Sequence, residues 1–206
     1  FYTDIFGMEA KMVGTMFLVT RVWDSLLDPI IGVLADRTRS KWGKFRPYLL
    51  YVAVPFGVIG VFTFYTPAFA ESGKVVYAYL TYSVMMMVYS AINVPYASLL
   101  GVISSSPKTR SVLATFRMSF AYLGSFVTLL LFNPMVNFFS GHRQDIEAQQ
   151  QGWVMAVAVI ALCSVVLFLL CFTWTRERVQ PVTDSKSSLK QDVRDLLNNS
   201  PWWILL

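Results

Sequence analysis

One histidine and two cysteines are all that 206 residues supply of the side chains that most often bind transition metals or act as thiol and imidazole catalysts. The histidine, His142, falls in a polar stretch from 141 to 151 and reads as a solvated loop residue without a role. Cys163 and Cys171 stand eight residues apart in one apolar run. About 12 Å of helix rise separates such a pair, which excludes a disulfide between them. No base accompanies the two thiols, so an intramembrane enzyme would lack its nucleophile–base pair or its metal ligands. Charge is scarce as well, at 14% of residues, where a soluble domain carries about 25%. The net charge of +5 is confined to particular loops and forms no basic–aromatic surface of the kind that binds nucleic acid. No charged leader, short apolar core and cleavage site opens the chain.

What is abundant is hydrophobicity, at 55% of residues and a mean hydropathy of +0.53. Apolar runs of membrane-spanning length recur along the chain, which makes it an all-α polytopic membrane protein. Residues 1–6 read as the end of a first helix, with a turn at Gly7. Helix two is expected over about 12–35, loosened by Pro29, and helix three over about 47–65, where Pro55, Gly57 and Gly60 permit bending and close approach. Helix four is expected over about 75–103, helix five over 111–139 and helix six over 153–174. Residues 175–200 turn polar. Within them Leu189, Val193, Leu196 and Leu197 recur at helical spacing, as in a short amphipathic helix on the membrane surface. Pro201, Trp202 and Trp203 open a further membrane segment over 201–206. The chain begins with Phe1 and closes inside that apolar run, so it is expected to be a fragment with helices missing at both ends.

Helix two carries the most informative residues. Arg21, Asp24 and Asp28, at i, i+3 and i+7, fall on one face of a helix that turns 100° per residue. A charge at membrane depth costs roughly 2.5–3.5 kcal/mol on insertion scales, so such residues line a polar cavity or pair with one another. Two acids beside one base leave an uncompensated negative charge, which suits a cation. The plainer alternative is an Arg21–Asp24 ion pair between helices, with Asp28 snorkelling to water. On helix four, Tyr82, Tyr89, Asn93 and Tyr96 share a stripe beside Ser90. Pro95 removes a backbone donor two residues after Asn93. Arg117 lies about two turns into helix five.

Orientation follows from the basic residues. Segments 36–46, 104–110 and 175–200 hold twelve, against Lys11, Lys74 and Arg143 on the other side. The positive-inside rule therefore puts the first set in the cytoplasm. About six helices then precede a cytoplasmic linker, the layout of two six-helix halves.

The wording of several segments carries a resemblance. Tyr2-Thr3-Asp4-Ile5-Phe6-Gly7, Arg21-Val22-Trp23-Asp24 with Asp28-Pro29, and the loop Asp36-Arg37-Thr38-Arg39-Ser40-Lys41-Trp42-Gly43-Lys44-Phe45-Arg46-Pro47 resemble the glycoside–pentoside–hexuronide:cation symporters. This is the melibiose-permease-like branch of the major facilitator superfamily. Tyr89-Ser90-Ala91-Ile92-Asn93-Val94-Pro95-Tyr96 resembles that family's helix four, and Thr175-Arg176-Glu177-Arg178-Val179 its exit from helix six. The wording is nearest to bacterial pentoside and xyloside permeases.

The resemblance implies a twelve-helix transporter of the bacterial inner membrane. This chain would be the N-terminal six-helix half, and the C-terminal six-helix half would be its missing partner. Asp24 and Asp28 match the cation site's two acids and Ser90 a hydroxyl that joins it. Asn93 matches a sugar-contacting position where melibiose permeases carry aspartate, and Arg117 an arginine near the sugar. Three departures are visible. Leu27 stands where sodium-using members have an asparagine ligand, Asn93 lacks the charge, and Ala97 replaces a tryptophan near the sugar. A hard cation wants oxygen ligands, so the coupling ion is expected to be H⁺ rather than Na⁺, with Asp24 and Asp28 the metal ligands only if sodium is used. No other cofactor is implied.

Tyr89 offers an aromatic face for an apolar side of the sugar. Asp36, Arg37, Arg39, Lys44 and Arg46 look like the superfamily's gating loop, although positive residues also serve topology alone. A cation that binds one orientation of the cavity better than the other biases the exchange between them. A different cargo such as a lysolipid is the rival reading, and Asn93, Arg117 and the tyrosines argue for a polyhydroxylated substrate instead.

Overall fold

The computed structural model describes residues 1–143 and 145–179, so the expected amphipathic helix, residues 201–206, and the linker beyond 179 lie outside the described residues. Six helices account for most of the described chain: α1 (Ala10–Arg37), α2 (Arg46–Tyr51), α3 (Ala53–Thr63), α4 (Glu71–Ile103), α5 (Pro107–Phe139) and α6 (Ile146–Trp174). α4, α5 and α6 are long and apolar enough to cross a membrane. α1, with 28 residues, is long enough too, at about 1.5 Å of rise per residue, but it carries Arg21, Asp24 and Asp28.

Where the helices differ from the periodicity-based expectation, local chemistry gives the reason. Helix three is interrupted at Val52, so that α2 and α3 replace one element. Pro55 has no N–H to return to the Tyr51 carbonyl, whereas Val52 still bonds to Tyr48 and Phe56 to Val52, each at 2.9 Å. α5 starts four residues before the expected 111, with Pro107 in its first turn, where a missing N–H costs nothing. α6 starts at Ile146 rather than 153 because Glu147, Ala148 and the glutamines are good helix formers, polar or not. Residues 1–6 form hydrogen-bonded turns, with Phe1 O accepting from Ile5 and Phe6, and Gly7 turns the chain at φ +83°.

α4 is the spine. It packs against α1, α2, α3 and α5, while α6 packs against α2, α3 and α5. The buried stripe of α1, Val13, Met16, Thr20, Ile31 and Ala35, faces α4 at helical spacing, and Asp24 continues it one turn past Thr20. Apolar clusters close the bundle at both ends. Tyr2, Phe6, Met8, Val13, Met16 and Ala78 form one. Ala35, Phe45, Leu49, Leu99 and Val102 form the other, with Tyr96, Phe168 and Phe172 against it.

Close helix contact is set by glycine, though not at every position the sequence suggests. Gly57 does meet a neighbour, Val165 of α6, but a Cβ at Gly60 would touch nothing within 4 Å. The tightest helix approach is at Gly152, where a Cβ would stand 2.6 Å from the Val136 carbonyl oxygen of α5. Backbone cannot swing aside as a side-chain tip can. Gly152→Ala should therefore force α5 and α6 apart and cost about 1–3 kcal/mol. Gly60→Ala should instead be neutral or stabilising by about 0.5–1 kcal/mol. Thermal unfolding of the purified protein in detergent checks both, and equal behaviour of the two variants would contradict the packing described.

Candidate functional site

Asp24 of α1 meets α4 rather than an arginine. Ser90, 2% exposed, donates its hydroxyl to Asp24 Oδ1 at 2.5 Å. Asp28 sits one turn further along, and its Oδ1 is buried with no hydrogen-bond partner. Arg21 is exposed and forms no ion pair with Asp24 among the described residues. Both groups still lie within electrostatic reach of the Tyr82 phenol. The donor set around Asp24 is all oxygen, two carboxylates and a hydroxyl, which suits a proton or a hard cation and not a soft metal. Leu27, between the acids in sequence, is half-buried and contributes no oxygen.

Three residues beyond Ser90 on α4, Asn93 opens onto a cavity of about 540 Å³ bounded by α4, α5 and the end of α6. Arg117 of α5 and Thr175 line the same space. The Arg117 guanidinium stacks on the Tyr96 ring at 4.6 Å, a cation–π contact that holds the charge over the cavity wall. Tyr96 is thus a site residue that sequence reasoning placed only as one of a stripe. Its signal was there, an aromatic three residues after Asn93. Cys171, read as a small buried hydrophobe, also lines this cavity and is half-buried.

The tyrosine stripe does not act as one surface. α4, at 33 residues, is long enough that each phenol meets a different neighbour. Tyr82 packs on Phe17 of α1 at 5.2 Å and on Tyr2 at 6.1 Å. Tyr89 lies 6.4 Å from Phe56 of α3 and is 42% exposed, and it does not line the Asn93–Arg117 cavity.

The loop from 36 to 46 is more tightly held than a solvated basic segment. Asp36, Arg37 and Arg39 are exposed, and Lys44 and Arg46 half-buried. Arg46 donates to Phe172 O at 2.6 Å and to Trp42 O at 3.3 Å, and stacks on the Phe172 ring at 4.6 Å. That arginine anchors the loop to α6. Thr38 and Tyr48 hydroxyls bond at 2.8 Å across the loop. Glu177, which sequence reasoning gave no role, accepts backbone N–H groups of the loop. Nothing in its local pattern shows this, because its partners are 131–133 residues away.

The orphaned Asp28 oxygen gives a direct test of the site's electrostatics. A buried polar atom without a partner costs about 1–3 kcal/mol, more when charged. Asp28→Asn should therefore raise thermal stability in the absence of added sodium, and the gain should shrink when sodium is supplied. A loss of stability under all conditions would show that the carboxylate is already satisfied.

The family model described as MFS/sugar transport protein matches residues 1–206. YagG of Escherichia coli (strain K12), a candidate glycoside/cation symporter, is 43% identical over the whole chain, which spans 44% of that protein. The inner membrane symporter YicJ of the same organism is 40% identical, again over all of this chain and 43% of its own length. The isoprimeverose transporter of Lactiplantibacillus pentosus is 39% identical over the same shares. The chain thus spans less than half the length of the curated relatives it matches. These relatives are transporters rather than enzymes, and the chain, an integral membrane protein, belongs to the MFS/sugar transport family.

Proposed function

We propose that these residues form the N-terminal part of a bacterial inner-membrane symporter, which couples uptake of a glycoside or pentoside-type sugar to a cation by alternating access. The observation that carries this reading is the continuity of the two sites along α4. Ser90 bonds the Asp24 carboxylate of α1, and Asn93, three residues on, opens onto the cavity it shares with Arg117. A cation arriving at Asp24 and Asp28 changes the charge one helical turn from the sugar-binding amide. Its preference for one orientation of the cavity would bias the exchange between outward- and inward-facing states.

Roles follow from chemistry. Asp24, Asp28 and Ser90 would hold the cation or proton. Asn93 would exchange hydrogen bonds with sugar hydroxyls, Arg117 would donate several more, and Tyr89 would offer its exposed ring from the neighbouring face of α4. The lack of an oxygen at Leu27 favours H⁺ as the coupling ion over Na⁺. Glycoside/cation symport and isoprimeverose transport by the similar proteins support a sugar as cargo.

The test is uptake of labelled β-xylosides, galactosides and glucuronides by vesicles carrying the full-length protein, under imposed Na⁺ or H⁺ gradients. Gradient-driven accumulation should appear for one sugar class and fall at least tenfold in Asp28→Asn, with downhill exchange retained. Accumulation untouched by that change would make the α1 acids structural. Arg117→Ala removes hydrogen bonds from a charged group, worth about 1.5–3 kcal/mol. It should raise the apparent KM by roughly 10- to 100-fold, and an unchanged KM would remove Arg117 from the sugar site.

A further inference from the structure

The basic end of the bundle holds a carboxylate that the transport reading leaves without a task. Glu177 follows the last residue of α6 by three positions and is half-buried. Its Oε2 accepts the Lys44 N–H at 2.8 Å, and its Oε1 accepts those of Phe45 at 2.8 Å and Arg46 at 3.0 Å. An ionised acceptor on three backbone donors makes charge-assisted bonds, roughly twice as strong as neutral ones. The loop is shaped to admit it. Gly43 has φ +110°, and a Cβ there would overlap the Glu177 carboxylate, so no L side chain fits this position.

The next two residues tie the same segment to α4. Arg178 and Val179 both donate their N–H groups to the Val102 carbonyl, at 2.9 and 3.0 Å. The short stretch 177–179 therefore joins three structures at once: the loop between α1 and α2, the last turn of α4, and the end of α6. None of these bonds uses the charged ends of Arg39, Lys41 or Lys44. Those three line a cavity of about 590 Å³ together with Arg176 and Glu177. The carboxylate thus fixes the loop backbone without engaging the charged ends of Arg39 and Lys44 on the cavity wall, while the Lys41 ammonium stands over the Trp42 ring at 4.7 Å.

The structure assigns Glu177 as the positioning residue of the 36–46 loop, coupling that loop to the chain that leaves α6 and so setting how fast the transporter changes orientation. This rests on the alternating-access reading above. The residue touches neither the Asp24–Ser90 pair nor the Asn93–Arg117 cavity, so its effect is on turnover and not on sugar binding.

The experiment uses the full-length protein with Glu177→Gln, Glu177→Asp and Gly43→Ala. Glutamine offers one acceptor oxygen where three donors converge, and its amide opposes them. Amide hydrogen exchange at residues 44–46 should quicken at least tenfold in Glu177→Gln, with exchange in the middle of α4 unchanged. Uptake of p-nitrophenyl β-xyloside, or of whichever sugar the transport screen identifies, should show Vmax reduced at least fivefold and KM within twofold. Glu177→Asp should recover part of both, and Gly43→Ala should mimic Glu177→Gln. Should Glu177→Gln fail to fold, Glu177→Asp carries the same readouts at smaller amplitude. Unchanged exchange at 44–46 would overturn the assignment. So would faster exchange with Vmax intact, which would make Glu177 a structural clasp alone, or a raised KM with Vmax intact. A well-folded protein that moves no sugar would overturn the transport reading instead, and exchange at 44–46 would still decide whether Glu177 holds the loop.

Discussion

A carboxylate inside a bilayer must be protonated, hydrogen-bonded or joined to a cation, and the packing of α1 on α4 follows from that demand. Ser90 is almost wholly buried, and its hydroxyl has one acceptor, Asp24 Oδ1. The bond fixes α1 along α4, and its loss would leave a buried hydroxyl without a partner. It satisfies only part of the local charge, because Asp28 keeps a buried oxygen without a donor.

From this pair the polar features run along one helix toward the basic end. Asn93 and Tyr96 carry α4 past the acids to the cavity shared with Arg117, and Val102 ends the series by accepting two N–H groups from the chain after α6. α4 is suited to this because it packs against four of the other five helices. One element therefore connects the Asp24–Ser90 pair, the Asn93–Arg117 cavity and the anchoring of the 36–46 loop. A small displacement at one level has a continuous, packed route to the others.

The basic residues of the 36–46 loop behave differently for a physical reason. Arg39 is exposed with its side chain on the cavity wall, while Arg46 spends its guanidinium on two carbonyls and a phenyl ring. Both are arginines of one loop and contribute equally to any count of positive charge. Only Arg46 lies close enough to α6 to be used in packing. The count of charges is the same for both, and the geometry decides which of them is used in packing.

Much of this was legible in the amino-acid order. Helical periodicity, membrane-spanning runs and the acids of α1 at i and i+4 are local features, and local features survive any choice of tertiary partner. The family wording around Asp24, Asp28 and Asn93 is likewise local. The break at Val52 was half-legible, since Pro55 announced a fault without saying whether the helix would bend or divide. The early start of α6 is hidden by the polarity of residues 146–152, because Glu147, Ala148 and the glutamines favour helix without marking it by hydrophobicity. Other facts had no local signature at all. That Arg21 faces outward while Asp24 takes its bond from Ser90, that Tyr82, Tyr89 and Tyr96 meet three different neighbours, and that Glu177 grips a loop more than 130 residues away each depend on which helices lie side by side. The sequence determined the elements and the chemistry they carry. Only the tertiary structure decided which groups meet, because a partner is a matter of distance in space and the chain records distance only along itself.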